Sequence, residues 1–515
     1  MELHCRSVLR ACARIVLAVA FCGVAVLGGC TSVPSRSPIA PRDADGAVFF
    51  KVTDNYALEA WELPSAFLAV RRVADAASPA TPCYWLRPGR RGLAGSTFLA
   101  GALPPGTYEF PNLGLPGEKL GSGCDHHGPA TARFSVARGR LTYLGVWTQE
   151  KASGNQQAIA VVDDGERAHL EQSVPGEFPE LARLVGQPPL GFLTPKSADQ
   201  NEKITQQVVR RGFDTDARAE GASGTWFYGT RTGAVRRWRE GESAAPAVDT
   251  GYRVSIEAIA VLSDNSVLAG GEQSTLLLSQ DQGATWTTLD VPLPYGVIFG
   301  LAVYRNDVVL ALLDKDDIHI YRSGASLASW KEVAGFHTEF AFFSGVPNIR
   351  PAAFVSGSSL VISLPSRHMA IYDMATGASD TRDLPGAIQL FGMSGDGALH
   401  CKCAPVIITN PYESHDLGKT WAASTHDRYS LIPAMRDQTT GMVWTKDGID
   451  RTRDGGHTWA RVSRPSGALV NLFYSRDGKQ AFATDGFSMW QSTDDGGTWT
   501  RAFRPSASGT GLLTR

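Results

Sequence analysis

The sequence has no excess of charge of either sign. Its 49 Lys and Arg residues nearly balance 51 Asp and Glu residues, so the formal net charge is −2. A chain without a basic face is poorly suited to neutralising phosphates, so nucleic acid is not expected as a partner. A hydrophobic stretch long enough to span a bilayer is also missing near the N-terminus, because the apolar run at residues 15–27 has thirteen residues.

Signatures of catalysis and cofactor binding are absent as well. The sequence contains no Ser-His-Asp signature, phosphate-binding loop or dinucleotide-binding fingerprint, so neither a catalytic set nor a cofactor is predicted. Helical periodicity is scarce, whereas 54 glycines and 43% hydrophobic residues are typical of a globular β protein. A chain of 515 residues exceeds one ordinary core, so an all-β protein of two domains is predicted.

One short motif, Ser/Thr-x-Asp-x-Gly-x-Thr-Trp, occurs four times. Its Ser or Thr and its Asp can accept hydrogen bonds from backbone N–H groups one or two residues on, and its Gly can adopt positive φ. The motif therefore predicts a self-contained turn between two strands, after which the Trp fills a seam between sheets. The defining residues are Ser279, Asp281, Gly283 and Trp286; Ser414, Asp416, Gly418 and Trp421; Thr452, Asp454, Gly456 and Trp459; and Ser492, Asp494, Gly496 and Trp499.

This motif resembles the Asp-box, or BNR, repeat of the β-propellers found in sialidases, sortilin-like receptors and photosystem II assembly factors of the Ycf48 type. The resemblance implies that each box joins the third and fourth strands of a blade, away from the binding funnel, and that its Asp is structural. Weaker copies at residues 226–243, 323–330 and 359–379 raise the count to seven blades. Residues 201–515 are therefore predicted to form a seven-bladed propeller, closed by a strand from residues 204–210 or 509–513.

The N-terminal residues are predicted to be a targeting signal. Arg6, Arg10 and Arg14 precede the apolar run, and residues 27–30 read Leu-Gly-Gly-Cys, which resembles the bacterial lipobox. The resemblance implies that residues 1–29 are a lipoprotein signal peptide and that Cys30 is acylated, for example with palmitate. Since no Asp follows Cys30, anchoring in the outer membrane of a Gram-negative bacterium is expected; an ordinary secretory signal is the alternative. The Pro-rich residues 30–45 are interpreted as an extended tether.

Residues 46–165 are predicted to form a β-sandwich accessory domain. Seven strand-like runs separated by turn signals carry this prediction; they lie at residues 48–52, 66–70, 97–100, 107–110, 132–136, 141–146 and 158–162. Residues 103–108 and 139–145 resemble the prealbumin-like accessory domains of bacterial lipoproteins, which implies a spacer or docking module. Residues 166–200 are predicted to be a linker with one short amphipathic helix at 178–185.

Four of the eight cysteines follow Cys30. A disulfide between Cys83 and Cys124 is predicted for an oxidising compartment. Cys124 is followed by Asp-His-His, which could hold zinc, but an exposed polar turn is favoured and no metal site is assigned. Cys401 and Cys403 share one face of a predicted strand, where they could bind a soft ion such as copper, form a bridge, or remain buried and unpaired.

The resemblance leaves three functions open. Blade number and the quality of the boxes are closest to the Ycf48-like propellers, which implies a binding or assembly scaffold whose partner is an envelope protein or a glycan. A sialidase-like glycoside hydrolase requires an Arg triad announced by Phe/Tyr-Arg-Ile-Pro, and the nearest string, at residues 348–351, is reversed. A glycan-binding propeller is the third possibility. Rim-binding candidates, on loops before first strands and between second and third strands, are Arg305, Asp314, Lys315, Asp316, Asp317, Arg350 and Arg367.

Overall fold

The computed structural model describes a defined part of the chain. The described residues are 35–36, 41–54, 69–73, 82–91, 96–110, 133–151, 157–162, 167–185, 198–338, 351–364, 367–405, 409–424, 430–467 and 469–503. The predictions made for the signal peptide at 1–29, Cys30, Cys124, Arg350 and residues 509–513 lie outside these ranges.

Among the described residues, ten strands precede residue 163: β1 (Ser35–Arg36), β2 (Gly46–Asp54), β3 (Ala69–Arg72), β4 (Cys83–Trp85), β5 (Arg87–Arg91), β6 (Thr97–Leu103), β7 (Gly106–Glu109), β8 (Arg133–Val136), β9 (Leu141–Lys151) and β10 (Gln157–Val162). They form two five-stranded sheets, sheet A in the order β1-β4-β3-β7-β8 and sheet B in the order β10-β9-β2-β6-β5. The two sheets contribute to one aromatic core, which includes Phe50, Phe110, Phe134 and Trp147.

The predicted strands of this N-terminal unit correspond to β2, β3 and β6 to β10. Strands β1, β4 and β5 were not predicted. The sequence of β5, Arg-Pro-Gly-Arg-Arg, lacks apolar alternation and contains two residues that disfavour a strand interior. Its pairing with β6 at the edge of sheet B, interrupted by an irregularity between Pro88 and Arg91, therefore depends on the neighbouring strand.

The region predicted as a linker contains helices that pack on the N-terminal unit. Helix α1 spans Arg167–Glu177, a 3₁₀ helix spans Pro179–Leu184 and helix α2 spans Ala198–Arg210. The short helix predicted at 178–185 is the 3₁₀ helix, whereas α1, with Pro175 in its interior, was not predicted. Leu181 and Phe178 are buried in a cluster with Phe49 and Phe98 of sheet B, so α1 and the 3₁₀ helix form a layer on that sheet.

From Asp214 onward the described residues form seven four-stranded antiparallel sheets, each made of four consecutive strands. Sheet 1 comprises β11 (Asp214–Glu220), β12 (Thr225–Thr230), β13 (Ala234–Arg239) and β14 (Ala247–Asp249); sheet 2, β15 (Ile256–Val261), β16 (Val267–Gly271), β17 (Leu276–Ser279) and β18 (Thr287–Thr288); sheet 3, β19 (Val297–Tyr304), β20 (Asp307–Asp314), β21 (Asp317–Ser323) and β22 (Lys331–His337); sheet 4, β23 (Ala353–Ser356), β24 (Ser359–Ser363), β25 (His368–Asp373) and β26 (Ser379–Asp383). Sheet 5 comprises β27 (Ala387–Met393), β28 (Leu399–Ala404), β29 (Asn410–Ser414) and β30 (Ala422–Ala423); sheet 6, β31 (Ala434–Met435), β32 (Gly441–Thr445), β33 (Gly448–Thr452) and β34 (Ala460–Arg461); sheet 7, β35 (Asn471–Tyr474), β36 (Ala481–Thr484), β37 (Met489–Ser492) and β38 (Thr500–Phe503).

Sheet 7 packs against sheet 1, which closes the sheets into a ring. Trp226 and Trp238 of sheet 1 contact Phe482 of sheet 7, with ring centroids 5.4 and 5.8 Å apart. The backbone N–H of Asp214 also donates to the carbonyl of Gly486 at 2.9 Å. A ring of antiparallel four-stranded sheets is the architecture of a β-propeller. The candidate closing strand at residues 204–210 is helix α2 instead, so in the described part of the chain the seam is formed without an exchanged strand.

The ring has two different ends, because successive strands of each sheet run in opposite directions. The turns between first and second strands and between third and fourth strands lie at one end, called here the box end. The turns between second and third strands and the connections between sheets lie at the other, called the junction end. The N-terminal unit meets the junction end at sheet 2, where Lys51 of β2 pairs with Glu272 in the β16–β17 turn.

Candidate functional site

Each Asp box lies between the third and fourth strands of its sheet, at the box end. In the first box, Ser279 Oγ accepts a hydrogen bond from Gly283 N–H at 2.7 Å and donates to Asp281 Oδ1 at 2.8 Å. Asp281 also accepts from the backbone N–H and the hydroxyl of Thr285, at 2.8 and 2.6 Å. These bonds to backbone N–H groups span four residues rather than the predicted one or two, because Gln282 and Gly283 both adopt positive φ, 58° and 83°, and widen the turn.

The same hydrogen bonds recur in the other three boxes and determine the charge state of their carboxylates. Bonds from the Thr four residues on lower the pKa of Asp281, Asp416 and Asp454 to about 2, and they lower the pKa of Asp494 in the same direction. A carboxylate whose oxygens accept three hydrogen bonds within one turn is stabilised in its charged form. The four box carboxylates are therefore engaged in hydrogen bonds within their own turns.

The box tryptophans pack into the seams between neighbouring sheets. Trp286 packs against a cluster containing Phe227 of sheet 1, and Trp421 packs against a cluster containing Met369 of sheet 4. The indole N–H has a carbonyl partner in two boxes: Trp459 Nε1–H donates to Gly456 O at 2.9 Å, and Trp499 Nε1–H donates to Ser463 O at 3.1 Å. The indole N–H groups of Trp286, Trp330 and Trp421 are buried and have no acceptor among the described residues.

The predicted rim residues do not form one group. Lys315 lies in the β20–β21 turn, between Asp314 and Asp317, at the junction end. Arg367 precedes β25 at the same end, where its guanidinium donates to Pro405 O at 3.1 Å. Arg305 lies in the β19–β20 turn, stacked over the Tyr304 ring at 5.2 Å, and is therefore at the opposite, box end. Its assignment to the same rim was wrong because first-to-second turns and second-to-third turns lie at opposite ends of an antiparallel sheet.

A cavity of about 570 Å³ lies in the ring and is lined from the first strands of all seven sheets. Three of its charged side chains, those of Asp216, Arg218 and Arg436, are engaged with neighbouring residues. Asn471 joins Asp216 and Arg218, accepting from Arg218 Nη1 at 3.1 Å and donating to Asp216 Oδ1 at 3.0 Å. Arg436 pairs with Asp495 across the wall at 2.9 Å.

The wall of sheets 4 to 6 differs, because it presents apolar side chains to the cavity. Phe354, Leu390, Met393 and Ile432 line it and are only partly buried. Next to Phe354, Val355 is 40% exposed and is the most exposed large hydrophobic side chain of the described residues. The sequence carries no sign of this partly open surface, because burial by a neighbouring sheet cannot be read from one strand.

Cys401 and Cys403 form a disulfide bond within β28. Both side chains are fully buried, in a cluster with Met369 and Ile371 of sheet 4. Of the three states that the sequence left open, the structure shows the bridge. Cys83 is also disulfide-bonded. Its predicted partner, Cys124, lies outside the described residues.

His400, beside this bridge, is a buried polar residue of sheet 5. Its Nε2 lies 2.8 Å from Ser394 Oγ, which also contacts Asp396 Oδ1 at 2.5 Å, and burial lowers the pKa of His400 to about 4. Within the described ranges, no group of three or more His, Cys, Asp and Glu residues is placed to hold a metal ion. In the same part of the chain, no helix combines the length and apolarity of a membrane span.

The contact between the N-terminal unit and sheet 2 is a buried ion pair with additional hydrogen bonds. Glu272 accepts from Lys51 Nζ, from Ser96 Oγ and, at 3.1 Å, from the backbone N–H of Ser255. Burial disfavours its carboxylate, but Lys51 and these hydrogen bonds outweigh that effect and lower the pKa of Glu272. Lys51 Nζ also donates to Arg253 O at 3.3 Å. The sequence could not pair two residues that lie 221 positions apart.

Comparison with known proteins gives structural likenesses without a family. No protein-family model and no curated protein matches the chain. Ycf48 from Cyanidioschyzon merolae is similar in structure, with 15% identity, a TM-score of 0.40 and coverage of 57% of this chain and 96% of that chain. BamB from Moraxella catarrhalis has 20% identity, a TM-score of 0.32 and coverage of 52% and 81%. The propeller architecture follows from the sheet topology of this chain itself, with its seven four-stranded sheets in the described residues.

Proposed function

We propose that this chain is a membrane-anchored envelope lipoprotein in which an N-terminal β-sandwich carries a seven-bladed Asp-box propeller, and that the propeller binds a protein partner. The observation that carries the binding proposal is the partly open apolar wall of sheets 4 to 6, formed by Phe354, Leu390, Met393 and Ile432. Partly exposed apolar side chains that line a concave surface are typical of a protein or ligand contact.

The distribution of charge supports a protein segment as the occupant. Asp216 and Arg218 are engaged with Asn471, and Arg436 is engaged with Asp495, so these three charged groups are less available to an incoming partner than the apolar side chains of sheets 4 to 6. Contacts of the N-terminal unit fall at Arg253, Glu272 and Tyr295, around sheet 2. The apolar wall lies on sheets 4 to 6, so these contacts of the N-terminal unit do not cover it.

Photocrosslinking in cells tests this proposal. A crosslinking amino acid at Leu390, a partly exposed residue of the apolar wall, is expected to capture one envelope protein in high yield. The matched control is the same amino acid at Gln282, an exposed residue of the box end of sheet 2. Equal background labelling from both positions would contradict the proposal, and hydrolysis of a sialoside by the purified protein would favour the glycosidase alternative instead.

The anchoring half of the proposal rests on the lipobox-like residues 27–30 and is tested separately. Cys30→Ala should move the protein from the membrane fraction to the soluble fraction and prevent labelling with radioactive palmitate. Cys22→Ala, in the preceding segment, is the control and should change neither. Retention of Cys30→Ala in the membrane fraction would show that lipidation at this residue is not the anchor.

A further inference from the structure

A second cavity, of about 680 Å³, lies between the N-terminal unit and the ring. One side is the exposed face of α1, with Glu171 and Pro175, and the other is formed by the β16–β17 turn and the chain that follows β18. We call it the junction cleft. Its volume lies in the range of small-ligand sites, and such sites are frequent where two structural units meet.

Two tyrosines provide flat apolar faces in the junction cleft. Tyr252 and Tyr295 both line it and both are partly exposed. Tyr295 is held in place by a hydrogen bond from its hydroxyl to Glu177 Oε1 at 2.9 Å. A fixed, partly exposed aromatic ring is a surface on which the C–H face of another molecule can pack with little loss of side-chain entropy.

The β16–β17 turn adds a polar group that lacks a partner. Gln273 and Ser274 are consecutive non-glycine residues with positive φ, 59° and 54°. Positive φ at both central residues is typical of a two-residue type I′ hairpin turn and fixes the direction in which this turn projects. The Gln273 Oε1 atom is buried and has no hydrogen-bond partner among the described residues. A ligand that donates a hydrogen bond would satisfy this acceptor.

The charges of the junction cleft restrict the chemistry of its ligand. Its described lining includes the carboxylates of Glu171 and Asp290 and contains no Lys, Arg or His. An anion would therefore meet only repulsion. Gln172, Thr275 and Thr288 add amide and hydroxyl groups, which suit uncharged hydroxyls better than a compact cation.

From these features we propose that the junction cleft binds a neutral oligosaccharide. The tyrosine rings contact the C–H faces of its pyranose rings, and its hydroxyls donate to Gln273 Oε1 and to the Asp290 carboxylate. This site is separate from the apolar wall of the ring, and its occupancy does not depend on the function proposed for that wall.

Calorimetric titration of the full-length protein with chitotriose and with maltotriose tests the proposal. Saturable binding of at least one trisaccharide is expected, and Gln273→Gly should weaken it about tenfold or more by removing the buried acceptor. Glycine at this position keeps the positive φ of the turn. Gln282→Gly is the matched control, because Gln282 also has positive φ, 58°, but lies outside the cleft on the same sheet. It should bind like the wild type.

Tyr252→Ala is a second variant that removes a packing face without altering the turn, and circular dichroism establishes that each variant is folded. Weakened binding in Gln273→Gly and Tyr252→Ala, with Gln282→Gly unchanged, supports the proposal. Absence of binding of both trisaccharides at millimolar concentration overturns it. Unchanged binding in both cleft variants, or binding of spermidine in preference to the sugars, overturns it as well.

Discussion

The two ends of the ring are held together by different kinds of contact. At the box end, Asp281 is satisfied by Thr285, four residues along the chain, and the same turn recurs in sheets 5, 6 and 7. At the junction end, Glu272 is satisfied by Lys51 and Ser96, which lie 221 and 176 residues away. The carboxylates of the boxes are therefore satisfied by local bonds, whereas the contact at sheet 2 forms only after both units have folded.

The box turns are repeated along the chain, whereas the ion pair between Lys51 and Glu272 is specific to one position. The hydrogen bonds of the box turn recur from sheet to sheet because each turn supplies its own donors and acceptors, although its Gly and Trp also pack against the neighbouring sheet. A buried ion pair requires one particular partner, and its two charges are stable inside the protein only when both are present. The junction end is thus where we expect single substitutions to act over long distances, and the following predictions test that contrast.

The largest effect is expected where the ring closes. Trp238 is 1% exposed and packs against Phe482 and Phe503 of sheet 7, so Trp238→Ala should lower the free energy of unfolding by roughly 3–5 kcal/mol. Trp459→Ala, at a box, should have a smaller effect because that side chain is partly exposed. Thermal unfolding followed by circular dichroism measures both effects. Equal decreases in melting temperature for the two variants would contradict the expected difference between the ring closure and the box.

The ion pair between the units should come next. Lys51→Met leaves Glu272 buried without its counter-charge, and removing one member of a buried pair is expected to destabilise the protein by about 3–5 kcal/mol. The control is Lys315→Met, at an exposed turn, which should stay within about 0.5 kcal/mol of the wild type. Denaturant unfolding is the measurement. A Lys51→Met protein as stable as its control would show that the contact contributes little.

Alanine substitutions at two glycines of positive φ distinguish the cost of backbone strain from the cost of a packing clash. At Gly418 a Cβ atom would lie 2.6 Å from Met369 Sδ of the neighbouring sheet, whereas at Gly377 it would point into open space. Both positions have positive φ, 82° and 76°, so both alanine variants carry strain of about 1–2 kcal/mol. Gly418→Ala should lower the melting temperature further than Gly377→Ala. A larger loss in Gly377→Ala would contradict the packing seen at the box.

The smallest effect is the response of the boxes to acid. The pKa of Asp281, Asp416 and Asp454 is about 2 in the folded protein, below the usual value near 3.9 of an unfolded chain. A depressed folded pKa contributes stability that is present above about pH 4 and is lost as the pH falls toward 2. The free energy of unfolding in urea should therefore fall less between pH 5 and pH 2 in the triple variant D281N/D416N/D454N than in the wild type. If both proteins lose the same free energy over this range, the box carboxylates are not the source of the acid sensitivity.

Much of the ring could be anticipated from the sequence because its repeats carry local chemistry. The box residues Ser279, Asp281, Gly283 and Trp286 predict a turn, a positive φ and a seam, and each of these is present. The prediction that these hydrogen bonds span one or two residues was wrong. Gln282 widens the turn through its backbone geometry, which a residue pattern does not specify. Helix α1 was missed because its apolar residues, such as Val174, are defined by contact with sheet B.

The candidate sites were less predictable. Rim residues were selected for charge, and alternation of strand direction places Arg305 and Lys315 at opposite ends. The apolar wall and the junction cleft contain ordinary residues such as Leu390 and Tyr252, which carry no motif. These residues become part of a candidate site only through the residues that the fold places next to them.

The sequence by itself determined the repeated turns, because the groups that bond to each box Asp lie within four residues of it. Tertiary structure alone decided that sheet 7 meets sheet 1, that Lys51 reaches Glu272, and that Gln273 has its side-chain oxygen buried without a partner in the described structure. Such relations join residues far apart in the chain, and the free energy of each depends on desolvation and packing that arise only when the complete fold brings those residues together.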